Sequence, residues 1–202
     1  MEAVFQEEIK GIYRLKVPFE RIYTSVFLVV SGNRTILVDC ATTEKDVEEY
    51  IIPALGTLGY EVADLDAIVL THRHGDHAGG LERLLSEAPG LEIVEDLRTL
   101  FDGIETYPMA GHTKGCIGVL DTRSHTLISG DGLQGAGVDQ YRCSLRDPVA
   151  YRETLKRVQE DERIWNILFS HAYEPWNEDH VMGRENIRVC IKQCEQYIKE
   201  KI

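Results

Sequence analysis

Residues 71 to 80 read Thr-His-Arg-His-Gly-Asp-His-Ala-Gly-Gly. Three imidazoles and a carboxylate, His72, His74, Asp76 and His77, therefore crowd one turn of chain. Such groups cannot all be buried unpaired, because desolvating them is costly. A divalent cation removes that cost, and neutral imidazole with carboxylate is the donor set of a borderline ion such as zinc. Gly75 permits the bend the turn needs, and Gly79 and Gly80 let a helix start close by. One loop cannot complete a coordination shell. Further donors are expected where other strands end: His112 after 104–109, Asp131 after 126–128 and His171 after 164–169. Five of the seven histidines then sit at strand ends. The remaining two, His125 in an expected hairpin turn and His180 at a charged helix start, read as solvated surface residues.

Four runs resemble, in order, the motifs of the metallo-β-lactamase-fold hydrolases. They are residues 71–80, Gly-His-Thr-Lys-Gly-Cys at 111–116, Ile-Ser-Gly-Asp-Gly-Leu at 128–133 and Phe-Ser-His-Ala-Tyr-Glu-Pro at 169–175. Leu-Val-Asp-Cys-Ala-Thr-Thr at 37–43 resembles the family's first motif. The resemblance implies an α/β fold, the four-layer αββα sandwich, with metals at one edge. It implies two divalent metal ions, zinc first, with iron or manganese also accepted by this ligand mix. His72, His74 and His112 would hold one, and Asp76, His77 and His171 the other. Asp131 would bridge both, and Asp39 would support the site from behind. A water shared by two such ions becomes hydroxide near neutral pH, and the ions polarise the attacked carbonyl. Asp76, ligating through one oxygen, can hold the nucleophile's proton on the other, which makes it the expected catalytic residue.

Within that family the chain looks most like the small glyoxalase II-like group. The expected activity is hydrolysis of a small ester, thioester or lactone by a metal-bridging hydroxide. Only 31 residues follow His171 and 35 positions separate His77 from His112, so a glutathione-binding lobe and pocket insertions are expected to be missing. Two other readings stay open. The run ending in Cys116 is similar to the persulfide dioxygenases of the same fold, which would place a single iron on His72, His112 and Asp131. A non-catalytic metal-binding regulatory protein is the third, although all seven ligand positions are filled. Tyr141, Tyr173 and Trp176 are candidates for lining a substrate, Lys114 for meeting an anionic group, and Cys116 for a core thiol.

The elements that must carry these residues are legible as pattern. Gly11–Val17, Tyr23–Val30 and Thr35–Val38 alternate as strands, with a hairpin turn at Ser31-Gly32-Asn33. Thr43 and Asp46 open a helix over Val47 to Leu58 that Pro53 should kink. Ala67–Leu70 is a buried strand feeding the histidine turn, and Leu81, Leu84 and Leu85 mark the helix after it. Strand-like pieces follow at 91–94, 105–109, 117–121, 126–129 and 164–169, with a helix begun at Asp147-Pro148 and another over 178–201.

Composition narrows the partners. Twenty-two basic against thirty-four acidic residues give a formal charge of −12, which argues against a nucleic-acid surface. The longest apolar run, Val26–Val30, is far too short to span a membrane. The acidic start lacks a signal-peptide pattern, and five cysteines form no C-x-x-C, so a reducing, cytoplasmic setting is expected. Cys190 and Cys194 read as two core residues on one helix face. A single domain over 1–202, acting on a small molecule, is the resulting expectation; the oligomeric state is open.

Overall fold

The structure, a computed structural model, describes residues 3–135, 145–174 and 176–201. The chain divides into two compact units, Met1–Glu95 and Asp96–Ile202.

The first unit is a six-stranded mixed sheet ordered β1-β2-β3-β4-β5-β6. Its strands are β1 (Gln6–Ile9), β2 (Ile12–Phe19), β3 (Ile22–Ser31), β4 (Arg34–Val38), β5 (Ala67–Val69) and β6 (Glu92–Val94). The β-branched runs expected as strands form a meander, β2 on β3 and β3 on β4 antiparallel, and Gly32 takes the left-handed turn between the latter two. β4, β5 and β6 are parallel because helical crossovers separate them. After β4, Thr43 opens the first crossover with a capping box. Its hydroxyl accepts from the Asp46 N–H, and Asp46 Oδ2 accepts from the Thr43 N–H. The expected kinked helix is instead α1 (Glu44–Asp46), a wide π turn (Val47–Ile51) and α2 (Ile52–Thr57). Pro53 is the second residue of α2, directly after that widened turn. α3 (Gly75–Ala78) and α4 (Leu81–Glu87) follow β5. Leu15, Val17, Leu28, Leu37 and Ile68 from the sheet meet Val47, Ile51, Leu55 and Leu84 in this unit's core.

The second unit is a six-stranded sheet ordered β12-β11-β10-β9-β8-β7. The strands are β7 (Thr99–Phe101), β8 (Ile104–Pro108), β9 (Ile117–Asp121), β10 (Thr126–Ile128), β11 (Asn166–Leu168) and β12 (His180–Met182). Only β10 and β11 pair in parallel, and α5 (Pro148–Glu160) lies between them in sequence. Asp147 caps α5 by accepting from Val149 and Ala150 N–H, as the Asp-Pro start implies. The last helix, α6 (Arg184–Lys201), begins later than its amphipathic pattern suggests. Residues 180–182 pair with β11 instead, and Gly183 at φ 86° breaks the chain between strand and helix. Leu120, Leu127, Tyr151, Leu155, Ile167, Phe169 and Ile191 build a separate core that includes Cys190 and Cys194, as expected for them. Cys40, Cys116, Cys190 and Cys194 are buried and form no disulfide among the described residues; Cys143 lies outside them. Among the described residues no helix is long and apolar enough to cross a membrane.

Candidate metal centre

In the first unit the donors hang on the end of β5. The Leu70 N–H donates to the Val94 carbonyl, and four residues on His74, in extended conformation, is the N-cap of α3. His72 and His74 therefore precede α3, His74 on extended backbone, while Asp76 and His77 lie on its first turn. The rings cluster: His72 and His74 centroids are 4.6 Å apart, His72 and His77 centroids 4.1 Å. His72 and His74 each offer a ring nitrogen within 4.8 Å of the other.

Asp39 decides which nitrogens those are. Buried at a left-handed φ of 64°, which a short acidic side chain tolerates, it accepts at Oδ1 from the Thr71 N–H (2.8 Å). Its Oδ2 accepts from the Thr71 hydroxyl (2.8 Å) and from His77 Nδ1 (2.7 Å). A carboxylate at that distance keeps the proton on Nδ1, so His77 Nε2 carries the lone pair and lies 3.5 Å from Asp76 Oδ2. The Thr71 hydroxyl has spent its single hydrogen on Asp39. It must therefore accept from His72 Nδ1, 3.2 Å away, and His72 is likewise left with a basic Nε2. One buried carboxylate thus sets two imidazole tautomers. Backbone contacts hold the assembly: Cys40 N–H to the His77 carbonyl (2.6 Å), Gly79 N–H to the Ala41 carbonyl (3.1 Å) and the Thr24 hydroxyl to the Asp76 carbonyl (3.0 Å). Gly79 and Gly80 are required by close approach, since a methyl group would overlap the Thr42 carbonyl at one and the Cys40 carbonyl and Val47 at the other. Burial, reinforced by the Asp39 carboxylate, pushes the Cys40 thiol well up, so it stays protonated.

In the second unit three loops converge. His112 lies between β8 and β9. Gly111, at φ 142°, fits directly under α5, where a methyl would come 2.8 Å from the Tyr151 Cα. Arg146 and Asp147 N–H groups donate to the Gly111 carbonyl, and the Thr154 hydroxyl donates to the Ala110 carbonyl (2.7 Å). The Cys116 Sγ, 3.0 Å from the Thr113 hydroxyl and 3.4 Å from its N–H, staples the turn just past His112. Asp131 sits in a single 3₁₀ turn (Gly130–Gly132) after β10, and His171 stands beyond β11. All three are buried, and Asp131 faces both histidines: Oδ2 is 3.6 Å from His112 Nε2 and Oδ1 is 3.3 Å from His171 Nε2. Ligand bonds of about 2.1 Å at a tetrahedral angle set neighbouring donors roughly 3.4 Å apart. The His171–Asp131 and His112–Asp131 spacings, and that of His77 to Asp76, therefore suit a cation seated between each pair, and the imidazole–carboxylate donor set fits zinc.

Each unit thus gathers the candidate ligands that lie within it. His125 and His180 stand apart, exposed, on the Arg163 carbonyl and the Asp179 carboxylate; His180 is on β12 rather than at a helix start. Trp176 is half exposed, and Tyr141 lies outside the described residues. Two residues that pattern reading passed over are Thr71, hidden as the flank of the histidine turn, and Gln134, which has no sequence signature.

Two six-stranded sheets with helices, each carrying His and Asp side chains just past its strand ends, define an α/β protein with candidate metal-ligating clusters. Comparison with known proteins specifies it further. A family model described as the metallo-beta-lactamase superfamily matches residues 20–101. A Bacillus subtilis protein named YobT is 30% identical over 195 residues, covering 77% of this chain and 73% of that protein. A hydroxyacylglutathione hydrolase of Vibrio cholerae is 27% identical over 175 residues (74% of this chain, 68% of that one). A beta-lactamase-like protein 2 homolog of Drosophila melanogaster is 29% identical over 164 residues, and there the alignment spans only 54% of the relative. The fold superposes on the metallo-β-lactamase FIM-1 of Pseudomonas aeruginosa with a TM-score of 0.72 at 18% identity, covering 96% of both chains. The chain belongs to the metallo-β-lactamase superfamily, and the αββα fold class expected from its motifs is borne out.

Proposed function

We propose that residues 1–202 act as one metallo-β-lactamase-like domain that hydrolyses a small ester, thioester or lactone with two divalent metal ions, zinc first. In this reading His72, His74 and His112 hold one ion, Asp76, His77 and His171 the other, and Asp131 bridges them. The observation that carries it is Asp131, whose two oxygens address two different histidines at the spacing a seated cation sets. A carboxylate serving one ion would not need both. The hydroxyacylglutathione hydrolase among the relatives supports a thioester as the first substrate class to try.

When bound, the ions would supply a water acidic enough to ionise near neutral pH and a Lewis acid for the carbonyl. The chain's own residues do the rest. Asp39 and Thr71 keep His72 and His77 in the tautomers that can ligate. Asp76, half-buried with Oδ2 3.5 Å from His77 Nε2, is the group assigned to hold the nucleophile's proton and return it to the leaving group. The burial of His112, Asp131 and His171 keeps bulk water from competing for their lone pairs.

Elemental analysis of protein purified without added metal, followed by turnover assays on acyl-thioesters and lactones, tests this. About two zinc per chain and a loss of roughly 10²–10⁴-fold in turnover for Asp76→Asn are expected. One iron per chain with O2 uptake on glutathione persulfide would replace the hydrolase with a dioxygenase.

A further inference from the structure

Asp131 and His171 follow neighbouring parallel strands, and something must fix their loops at 3.3 Å once the strands have ended. On the strand side the fixing is by Ser129. Its N–H donates to the Leu168 carbonyl (3.0 Å), and its buried hydroxyl reaches the Leu133 (2.8 Å) and Leu168 (3.2 Å) carbonyls. The Leu133 bond ties the Asp131 loop back on itself just past Asp131, whereas the Leu168 bonds precede both candidate ligands. Beyond them each loop runs on, three residues to Gln134 and two to Tyr173. There the Tyr173 hydroxyl donates to Gln134 Oε1 at 3.0 Å, with both side chains buried. The Tyr173 ring also lies 5.9 Å from the His171 ring, so it packs beside the imidazole whose loop it ties.

We infer that the Gln134–Tyr173 hydrogen bond is a latch that closes the far side of the two loops and holds Asp131 and His171 at cation-ligating separation. Gln134 and Tyr173 are positioning residues; neither ligates. The inference rests on the reading of Asp131 and His171 as metal ligands. It also gives a role to Tyr173, which the sequence offers as a candidate for lining a substrate and whose hydroxyl the fold engages with Gln134. Two loops tied to each other only on the strand side can shift against one another beyond it, and a donor pair splayed by a few tenths of an ångström no longer matches a roughly 3.4 Å bite. A second closure removes that freedom before metal arrives, which is preorganisation of the ligands.

The test uses the full chain with Tyr173→Phe, Gln134→Met and the double variant. In metal-free protein, amide hydrogen exchange at 130–135 and 171–174 should accelerate together, about fivefold, the factor a single net hydrogen bond of about 1 kcal/mol carries. The double variant should be no faster than either single one, because one bond is lost in all three. Chelator competition with zinc should show the weaker of the two binding steps loosened by a similar factor. Exchange that rises in one loop alone, or additive effects in the double variant, overturns the latch whether or not metal binds. Wild-type protein that takes up fewer than two zinc ions while the two loops still loosen together would instead refute the two-metal reading and leave the latch standing.

Discussion

Asp39→Asn separates the support of the centre from the ligands themselves. Asparagine tolerates the left-handed backbone at φ 64° that alanine would resist, so the chain path is kept. Its remaining carbonyl oxygen can still accept the Thr71 N–H, and the Thr71 hydroxyl can turn to accept from the new amide. What cannot be kept is the bond to His77. An amide N–H now faces Nδ1–H across 2.7 Å, and the imidazole relieves the clash only by moving its proton to Nε2. That is the nitrogen turned toward Asp76, so the lone pair needed for a cation is lost. The Thr71 hydroxyl hydrogen, released from Asp39, can then be donated to His72 Nδ1, which would favour the same change there. One buried charge-assisted hydrogen bond corresponds to about 1.5–3 kcal/mol of stability in metal-free protein. Loss of an outer partner to a ligating histidine corresponds to roughly 10–100-fold in metal affinity. Urea unfolding of the metal-free protein gives the first quantity, zinc titration against a chelator the second, and nitrogen chemical shifts of His77 report the tautomer. An affinity within threefold of wild type, with His77 still protonated at Nδ1, would refute the argument that Asp39 sets the tautomers.

Other consequences are more direct. Gly79→Ala and Gly111→Ala each force a methyl into backbone, Thr42 in one case and Tyr151 in the other, so both should lose more than about 3 kcal/mol in urea unfolding, while Gly90→Ala, with open space around it, should change little. Burial pushes the Asp121 carboxyl up, but hydrogen bonds from Arg123 N, Nε and Nη2 and from Ser124 N outweigh it and hold the group below its ordinary 3.8. Its folded-state pKa being depressed, the stability it contributes is present above about pH 4 and fades as pH falls through the folded value. Asp121→Asn should therefore be less stable than wild type at pH 7, with the gap closing below about pH 4 in urea titrations across that range. Metal removal should also lower thermal stability: at free zinc about 100-fold above its dissociation constant one site contributes roughly 2.7 kcal/mol. For a chain of this size that is a fall of about 5–10 °C after chelation, read by calorimetry.

Much of the centre is legible without a fold because its chemistry is local. His72, His74, Asp76 and His77 share one turn, and glycines flank them on a strand-to-helix junction that pattern alone identifies. His112, Asp131 and His171 are picked out as candidates by the same rule, polar groups just past apolar runs. Short elements escaped it. β1, β7 and β12 hold three or four residues each, too few to establish a period, and the amphipathic stretch from 178 hid β12 because three residues fit a strand or a helix equally well. The widened π turn ahead of Pro53 likewise has no counterpart in hydrophobic spacing.

The amino-acid order alone therefore determined the kinds of donor, their loops and the family to which the chain belongs, since each depends on neighbours a few residues apart. Only the tertiary structure decided that Asp131 turns one oxygen to each of two histidines, that Asp39 governs His77 across 38 positions, and that Gln134 meets Tyr173 across 39. Those distances are set by strand pairing and by backbone packed against glycine, contacts between residues remote in sequence whose identities carry no trace of one another.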